Sequence, residues 1–257
     1  MEPVADLIDI AVHSASGKKS VACIFLARYS DDAMSREQIR ARIQEIGIIP
    51  AIRVASPEDA LFAAGTVCKH GIPIVEVTMT VPGALGVISE LARGNPLIIV
   101  GAGSIADAET AARCVDAGAQ FLTSTGLDLD VVHFAVQHDI VIIPGVLTPT
   151  EVLAASKARP DYIKLFPCAP VGGPAYVRAM RAPFPQVSFI ASGGVNQQTA
   201  LDFLLAGAVA LGIGGELIPH EAIERRQEHR IGELARRFLD KVKEARSLMQ
   251  SNVSAHH

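Results

Sequence analysis

The stretch Ile48-Ile49-Pro50-Ala51-Ile52-Arg53-Val54-Ala55-Ser56-Pro57-Glu58-Asp59, with Gly71-Ile72-Pro73-Ile74-Val75-Glu76-Val77-Thr78-Met79 a helix length further on, decides the fold. Ile48–Val54 is a short, continuously apolar and β-branched run, the pattern of a parallel strand covered on both faces. Ser56 then offers a helix cap, Pro57 occupies the first turn, and Glu58 and Asp59 place acids near a helix N-terminus. Gly71 stops the helix, and the next apolar run, Ile72–Met79, begins at once.

The same alternation continues through Leu97–Val100, Ala119–Ser124, Ile140–Pro144, Asp161–Phe166, Val187–Ala191 and Ala208–Ile213. Thr148-Pro149-Thr150-Glu151 repeats the helix-start arrangement, and Gly118 and Gly207 repeat the stop. Eight strand–helix units of this kind point to an α/β fold, a (β/α)8 TIM barrel rather than a doubly wound sheet. Gly101-Ala102-Gly103 lacks the third glycine of a dinucleotide fingerprint.

Ahead of the first strand, Ser35 and Gln38 have capping-box spacing, Ile39, Ile43 and Ile46 share a helical face, and Gly47 ends the helix. This helix is expected to cap the N-terminal mouth of the barrel. After the last strand, Ala222–Gln250 reads as one long charged helix with Leu234, Phe238, Val242 and Leu248 as its buried stripe. Residues 1–33 do not fit the repeat and read as an extension or an upstream start. The barrel domain is then 34–250, and 251–257 is a tail. Met1–Asp6 is acidic, and Lys18-Lys19 before Val21–Ala27 lies too far in for a signal peptide.

Composition narrows the function. The chain has 257 residues, 49% hydrophobic and 19% charged, which excludes a disordered chain. Its apolar runs are too short to span a bilayer, and a net charge of −4 does not suit a general nucleic-acid binder. Cys23, Cys68, Cys114 and Cys168 are scattered, so neither a zinc site nor a disulfide framework is expected, and a reducing, cytoplasmic compartment fits. The histidines form no catalytic-triad or metal pattern and read as surface or loop residues.

Barrels carry reactive groups at the C-terminal ends of their strands. Glu76 and Lys164 stand inside otherwise apolar strands there. Alternation puts Glu76 on one face with Ile74 and Thr78, and Lys164 with Tyr162 and Phe166. A buried amine loses its proton more easily and can attack a ketone to form a Schiff base, and a nearby carboxyl can move protons. The structural alternative is a buried Lys–Glu ion pair. Ser192-Gly193-Gly194 and Gly212-Ile213-Gly214-Gly215 end the last two strands, where barrels often bind phosphate through backbone N–H groups. Arg53 offers a planar fork for a carboxylate or phosphate, and Gly103-Ser104 an anion nest or a plain turn. Cys168 is either a site-lining thiol or a buried one.

Six ordered motifs, Ile49-Pro50-Ala51-Ile52-Arg53, Val75-Glu76-Val77-Thr78, Val100-Gly101-Ala102-Gly103-Ser104, Ile143-Pro144-Gly145-Val146, Lys164-Leu165-Phe166-Pro167 and Ser192-Gly193-Gly194-Val195, resemble the 2-keto-3-deoxy-6-phosphogluconate (KDPG) / 4-hydroxy-2-oxoglutarate (KHG) aldolase family. The resemblance runs from about Met34 to Pro219. It implies a Schiff-base lyase that needs no metal or other cofactor, commonly a homotrimer, acting on a small, phosphorylated keto acid. By the same resemblance Lys164 is the Schiff-base lysine and Glu76 the acid–base group. The candidate substrate-binding positions are Arg53, Thr80, Gly103, Ser104, Pro144, Phe166, Ser192, Gly193, Gly194, Gly214 and Gly215. Thr80 stands where some members carry a carboxylate-binding arginine, Gly215 followed by Glu216 where the family has a phosphate-site serine, and Ser192 where a threonine is usual. The epimeric 6-phosphogalactonate-derived substrate is an alternative, as is a phosphate-binding barrel isomerase or synthase in which Lys164 is structural. A sugar-acid binding protein without catalysis is a third.

Overall fold

In the computed structural model, residues 34–95 and 98–254 are described, with side chains as far as Ser251. The expectations for residues 1–33, including Cys23 and His13, for Leu97 and for the end of the tail lie outside them.

The chain opens with α1 (Arg36–Ile46) and then alternates: β1 (Ile48–Ile52), α2 (Pro57–Lys69), β2 (Ile74–Thr78), α3 (Ala84–Gly94), β3 (Ile99–Gly103), α4 (Ala108–Asp116), β4 (Phe121–Thr123) and α5 (Leu129–Gln137). It continues through β5 (Val141–Ile143), β6 (Gly145–Val146), α6 (Pro149–Lys157), β7 (Ile163–Leu165), a 3-10 turn (Ala169–Val171), α7 (Gly173–Arg181), β8 (Phe189–Ser192), α8 (Ala200–Leu205), β9 (Ala210–Ile213), α9 (His220–Glu224) and α10 (Glu228–Ser254).

All strand pairs are parallel, in the order β5-β4-β3-β2-β1-β9-β8-β7-β6. β5 and β6 flank Pro144, and together they make one strand position. The ladder crosses that break, since the amides of Lys164 and Phe166 donate to the carbonyls of Pro144 and Val146 at 2.9 and 3.0 Å. The sheet is thus an α/β TIM-type barrel with eight strand positions, as expected. The strand position expected as Ile140–Pro144 instead continues past Pro144 to Val146, broken at the proline, which has no N–H for a ladder.

The helix starts follow the local chemistry. Ser35 and Gln38 close the capping box on α1, and Ser56, Asp107, Asp128 and Thr148 each cap the helix that follows. Ile39, Ile43 and Ile46 are buried, and Gly47 turns the chain at φ +72°, where a side chain would be strained. Two contacts seat α1 on the N-terminal end of the barrel. The Tyr162 hydroxyl donates to the Arg40 carbonyl at 2.9 Å. Arg36 grips Asp161 with Nε and Nη2, both at 3.0 Å, while Asp161 also accepts from the Ile142 amide at 2.9 Å. Such a two-pronged charged contact fixes orientation as well as adding energy.

The long terminal helix departs from expectation. It is broken at Arg225–Gln227, where Arg226 takes φ +49°. Arg226 pairs with Asp59 at 2.9 Å and lies over the Phe62 ring at 4.8 Å, which ties the break to α2. The buried stripe of α10 is Ile231, Ala235, Phe238, Val242 and Ala245; Leu248 is exposed and Leu234 only half-buried. Small Ala235 and Ala245 are as buried as their large neighbours, and a search for large apolar residues overlooks them. No helix of the described residues is long and apolar enough to cross a membrane.

Inside the barrel, Phe121 of β4 lies against Gly101 of β3, its register partner. A Cβ at Gly101 would sit 2.2 Å from the Phe121 ring, which is fully buried and has nowhere to go. Gly101→Ala should therefore destabilise the fold by about 1–3 kcal/mol, the usual effect of overpacking, read as a lowered urea midpoint with an unchanged slope.

Candidate active site

The alternating faces of β2 and β7 aim their charged residues inward. Tyr162 meets α1 at the floor of the barrel, so Lys164, two residues on, lies on the same face and higher. Glu76 lies likewise between Ile74 and Thr78 on a strand buried throughout. Lys164 is 8% exposed and Glu76 7% exposed.

The Lys164 amine donates to the Thr123 hydroxyl at 3.4 Å and lies 5.7 Å from the centre of the Phe166 ring. Burial pushes this amine below the ordinary lysine range. The negative charge of Glu76 opposes that shift and the positive charge of Arg53 adds to it, so all three groups share one electrostatic environment. Glu76 and Lys164 form no direct ion pair among the described residues; Glu76 acts on the amine through space. The expected ion-pair alternative is therefore not the arrangement found.

Glu76 is held by a missing side chain. A Cβ on Gly103 would lie 2.0 Å from its Oε1, so the carboxyl packs directly on the Gly103 backbone. Thr78 donates to the Ile52 carbonyl at 3.0 Å, which leaves its oxygen to accept from Thr80 at 2.7 Å. Thr80 is thus tied through Thr78 to the Ile52 carbonyl at the end of β1, and Arg53, the next residue, is exposed.

The other expected positions divide. Pro144 is buried and joins the site through its carbonyl on the Lys164 amide. Gly193 packs against Phe166 and Pro167, with a Cβ there meeting their atoms at 2.8–3.0 Å. Gly193 and Gly194 both take φ +84°, and the carbonyls of Ser192 and Gly193 accept from Cys168 and Ala169 at 2.9 Å. Their own N–H groups donate to no backbone carbonyl among the described residues. Ser192 lies over Gly212, where a Cβ would approach its Oγ to 2.7 Å. Gly214 closes a turn by accepting from Leu217 and Ile218 at 2.9 and 3.0 Å; Gly215 and Glu216 are exposed. Ser104 adopts φ +61° and is half-buried after β3, so the segment is a tight turn carrying a hydroxyl. Ser104, Gly214 and Gly215 reach this end of the barrel through their places after β3 and β9.

Cys168 does not line the site. It is fully buried, its thiol donates to the Leu165 carbonyl at 3.1 Å, and burial pushes its pKa up to about 11. Two histidines expected as surface or loop residues stand in the turns after α2 and α5, where His70 bonds the Thr66 carbonyl at 2.9 Å with its ring against Gly232, and His138 bonds the Phe134 carbonyl at 2.7 Å. Thr123 is the site residue that sequence reasoning missed. A threonine in a strand is ordinary, so Phe121-Leu122-Thr123 carries no signal until the fold places it against Lys164.

Residues 39–234 match the family model for KDPG and KHG aldolases. The chain belongs to that family. It is 30% identical to the 2-dehydro-3-deoxy-phosphogluconate aldolase of Pseudomonas aeruginosa over 82% of this chain and 97% of that one. It is 33% identical to the KHG/KDPG aldolase of Escherichia coli K12, over 76% of this chain and 92% of that one. Among solved structures, the KDPG aldolase of Legionella pneumophila, with pyruvate captured as a covalent carbinolamine, superposes with a TM-score of 0.72 at 31% identity, covering 77% and 96% of the two chains. As a KDPG/KHG-family aldolase the chain is an enzyme of the lyase class.

The depressed Lys164 amine has a measurable consequence. As pH rises toward the ordinary amine value of 10.5, the folded aldolase sheds this proton before the unfolded chain does. The unfolded state then binds more protons, so stability gained through Lys164 rises with pH. Wild type should gain stability relative to Lys164→Met between neutral pH and 10.5, by urea denaturation. A difference that stays flat would remove the buried ammonium as a source of strain.

Proposed function

We propose that this aldolase cleaves KDPG to pyruvate and glyceraldehyde 3-phosphate through a Schiff base on Lys164, with 4-hydroxy-2-oxoglutarate, giving glyoxylate, as a second substrate. The observation that carries this reading is a lysine amine, buried and depressed, within electrostatic reach of a buried carboxyl that forms no ion pair with it.

The chemistry follows from those groups. Neutral Lys164 attacks the C2 ketone, and the carbonyl oxygen leaves as water with one proton from the amine and one taken up from solvent, giving a protonated imine. Glu76, through a water molecule, takes the proton of the C4 hydroxyl. The C4–O bond becomes the aldehyde carbonyl as the C3–C4 electron pair moves into the imine. The resulting enamine takes a proton at C3 from Glu76, and hydrolysis frees pyruvate and Lys164. The imine is the electron sink, so the route uses no metal or other cofactor.

Arg53 and the hydroxyls of Thr80 and Ser104 are the groups we assign to the substrate carboxylate. Pro144 and Phe166 wall the reacting carbons. The N–H groups around Gly193, Gly194, Gly214 and Gly215, with the Ser192 hydroxyl, are assigned to the phosphate. We further assign the active form to a homotrimer in a reducing, cytoplasmic compartment, which suits the free thiols Cys68, Cys114 and Cys168. Sedimentation of the purified chain tests the trimer.

Borohydride reduction with pyruvate should leave a mass adduct on Lys164, and Lys164→Ala should lose both adduct and cleavage. A folded wild type without adduct would sink the Schiff-base reading. Glu76→Gln should slow cleavage by about 10²–10⁴-fold with the adduct retained. Gly103→Ala should cost about 10²-fold in kcat by displacing the Glu76 carboxyl, while leaving adduct formation intact. Cleavage rates on KDPG, its C4 epimer and 4-hydroxy-2-oxoglutarate identify the preferred substrate.

A further inference from the structure

Lys164 and Thr123 meet across an intervening strand. Thr123 is level with Ile143 at the end of β5, and Lys164 is level with Gly145 at the start of β6. The two residues therefore flank the break at Pro144. Gly145, opposite Lys164, has no side chain, and a Cβ there would strike the Thr125 carbonyl at 2.1 Å. The Lys164 amine reaches over this narrow point to Thr123, which is itself 1% exposed.

A buried threonine hydroxyl needs a use for its oxygen. Here that oxygen accepts from Lys164, and the contact of 3.4 Å is long, as catalytic hydrogen bonds in unliganded enzymes often are. The chemistry of nitrogen gives the contact a direction. An ammonium has three N–H donors and a neutral amine two. When one N–H of the amine is tied to Thr123, its lone pair cannot point at that hydroxyl and is turned toward the rest of the amine's surroundings, whose charged groups are Glu76 and Arg53. A protonated imine has a single N–H left, and an acceptor in place for that one proton stabilises the charged form over the neutral one.

We propose that Thr123 is a positioning residue for the Schiff-base lysine. Its hydroxyl orients the Lys164 lone pair for attack and then accepts the one N–H of the protonated imine, holding the electron sink in its charged form. The inference rests on the Schiff-base reading and adds to it a residue that acts only through Lys164. Thr123 carries out no proton transfer and touches no substrate atom. The charged groups acting on Lys164 are Glu76 from β2 and Arg53 from the end of β1. Neither is altered by a change at position 123, so a shift in the pH profile there reports the hydroxyl.

Thr123→Val keeps shape and β-branching and removes the hydroxyl; Thr123→Ser keeps the hydroxyl. Thr123→Val should lower kcat by about 10–100-fold, with a smaller effect on KM, as expected for loss of a hydrogen bond to a charged group. The alkaline limb of its kcat profile should move to lower pH, because the imine deprotonates sooner. The yield of pyruvate adduct under borohydride should fall along the same limb. Thr123→Ser should restore the wild-type limb and most of kcat. Circular dichroism and urea midpoints show whether each variant is folded, and a Val variant that does not fold leaves the Ser variant and Thr123→Ala to carry the comparison. A folded Thr123→Val with the wild-type kcat and alkaline limb would overturn the proposal while wild type still gives the Lys164 adduct. A wild type that gives no adduct would instead overturn the Schiff-base reading itself.

Discussion

A lysine amine held out of water at the centre of a parallel barrel is the constraint around which this molecule is arranged. Such a group is costly to bury as a cation, and the fold answers in three ways. The amine's affinity for its proton falls, a carboxyl stands near without pairing, and a hydroxyl takes one hydrogen bond. Had Glu76 closed onto Lys164, the pair would have been satisfied and inert. The glycine at 103 places the carboxyl against backbone instead, at its own position on the neighbouring strand.

That arrangement depends on backbone spacing more than on side-chain bulk. Gly101 admits the Phe121 ring, Gly103 admits the Glu76 carboxyl, and Gly145 lies at the break between Thr123 and Lys164. The inner layer therefore carries function where small residues leave room and packing where an aromatic fills it. The chain belongs to the KDPG and KHG aldolase family, and these particular close approaches are those of its own barrel.

Much of this was legible beforehand, and the reasons differ by element. Caps such as Ser35 with Gln38, and Thr148 with Glu151, are local chemistry, so the helix starts were readable from three or four residues. Glu76 and Lys164 stood out because charge is rare in a continuously apolar strand. Three features were hidden. The division at Pro144 looks like an ordinary strand end until the ladder closes across it. The break before α10 depends on Arg226 finding Asp59 and Phe62, far away in sequence. Thr123 is an unremarkable strand residue whose role exists only through a contact with another strand.

The helix α1, seated on the N-terminal end of the barrel by Arg36, Asp161 and Tyr162, closes that end among the described residues. The strand C-termini, where Lys164 and Glu76 point, are then the end through which a substrate would come and go. On the Schiff-base route proposed above, a closed floor would set an itinerary: the aldehyde, severed first, would depart ahead, and the fragment bonded to Lys164 would stay until water releases it. Run in reverse on that route, the keto acid would enter first and the aldehyde follow.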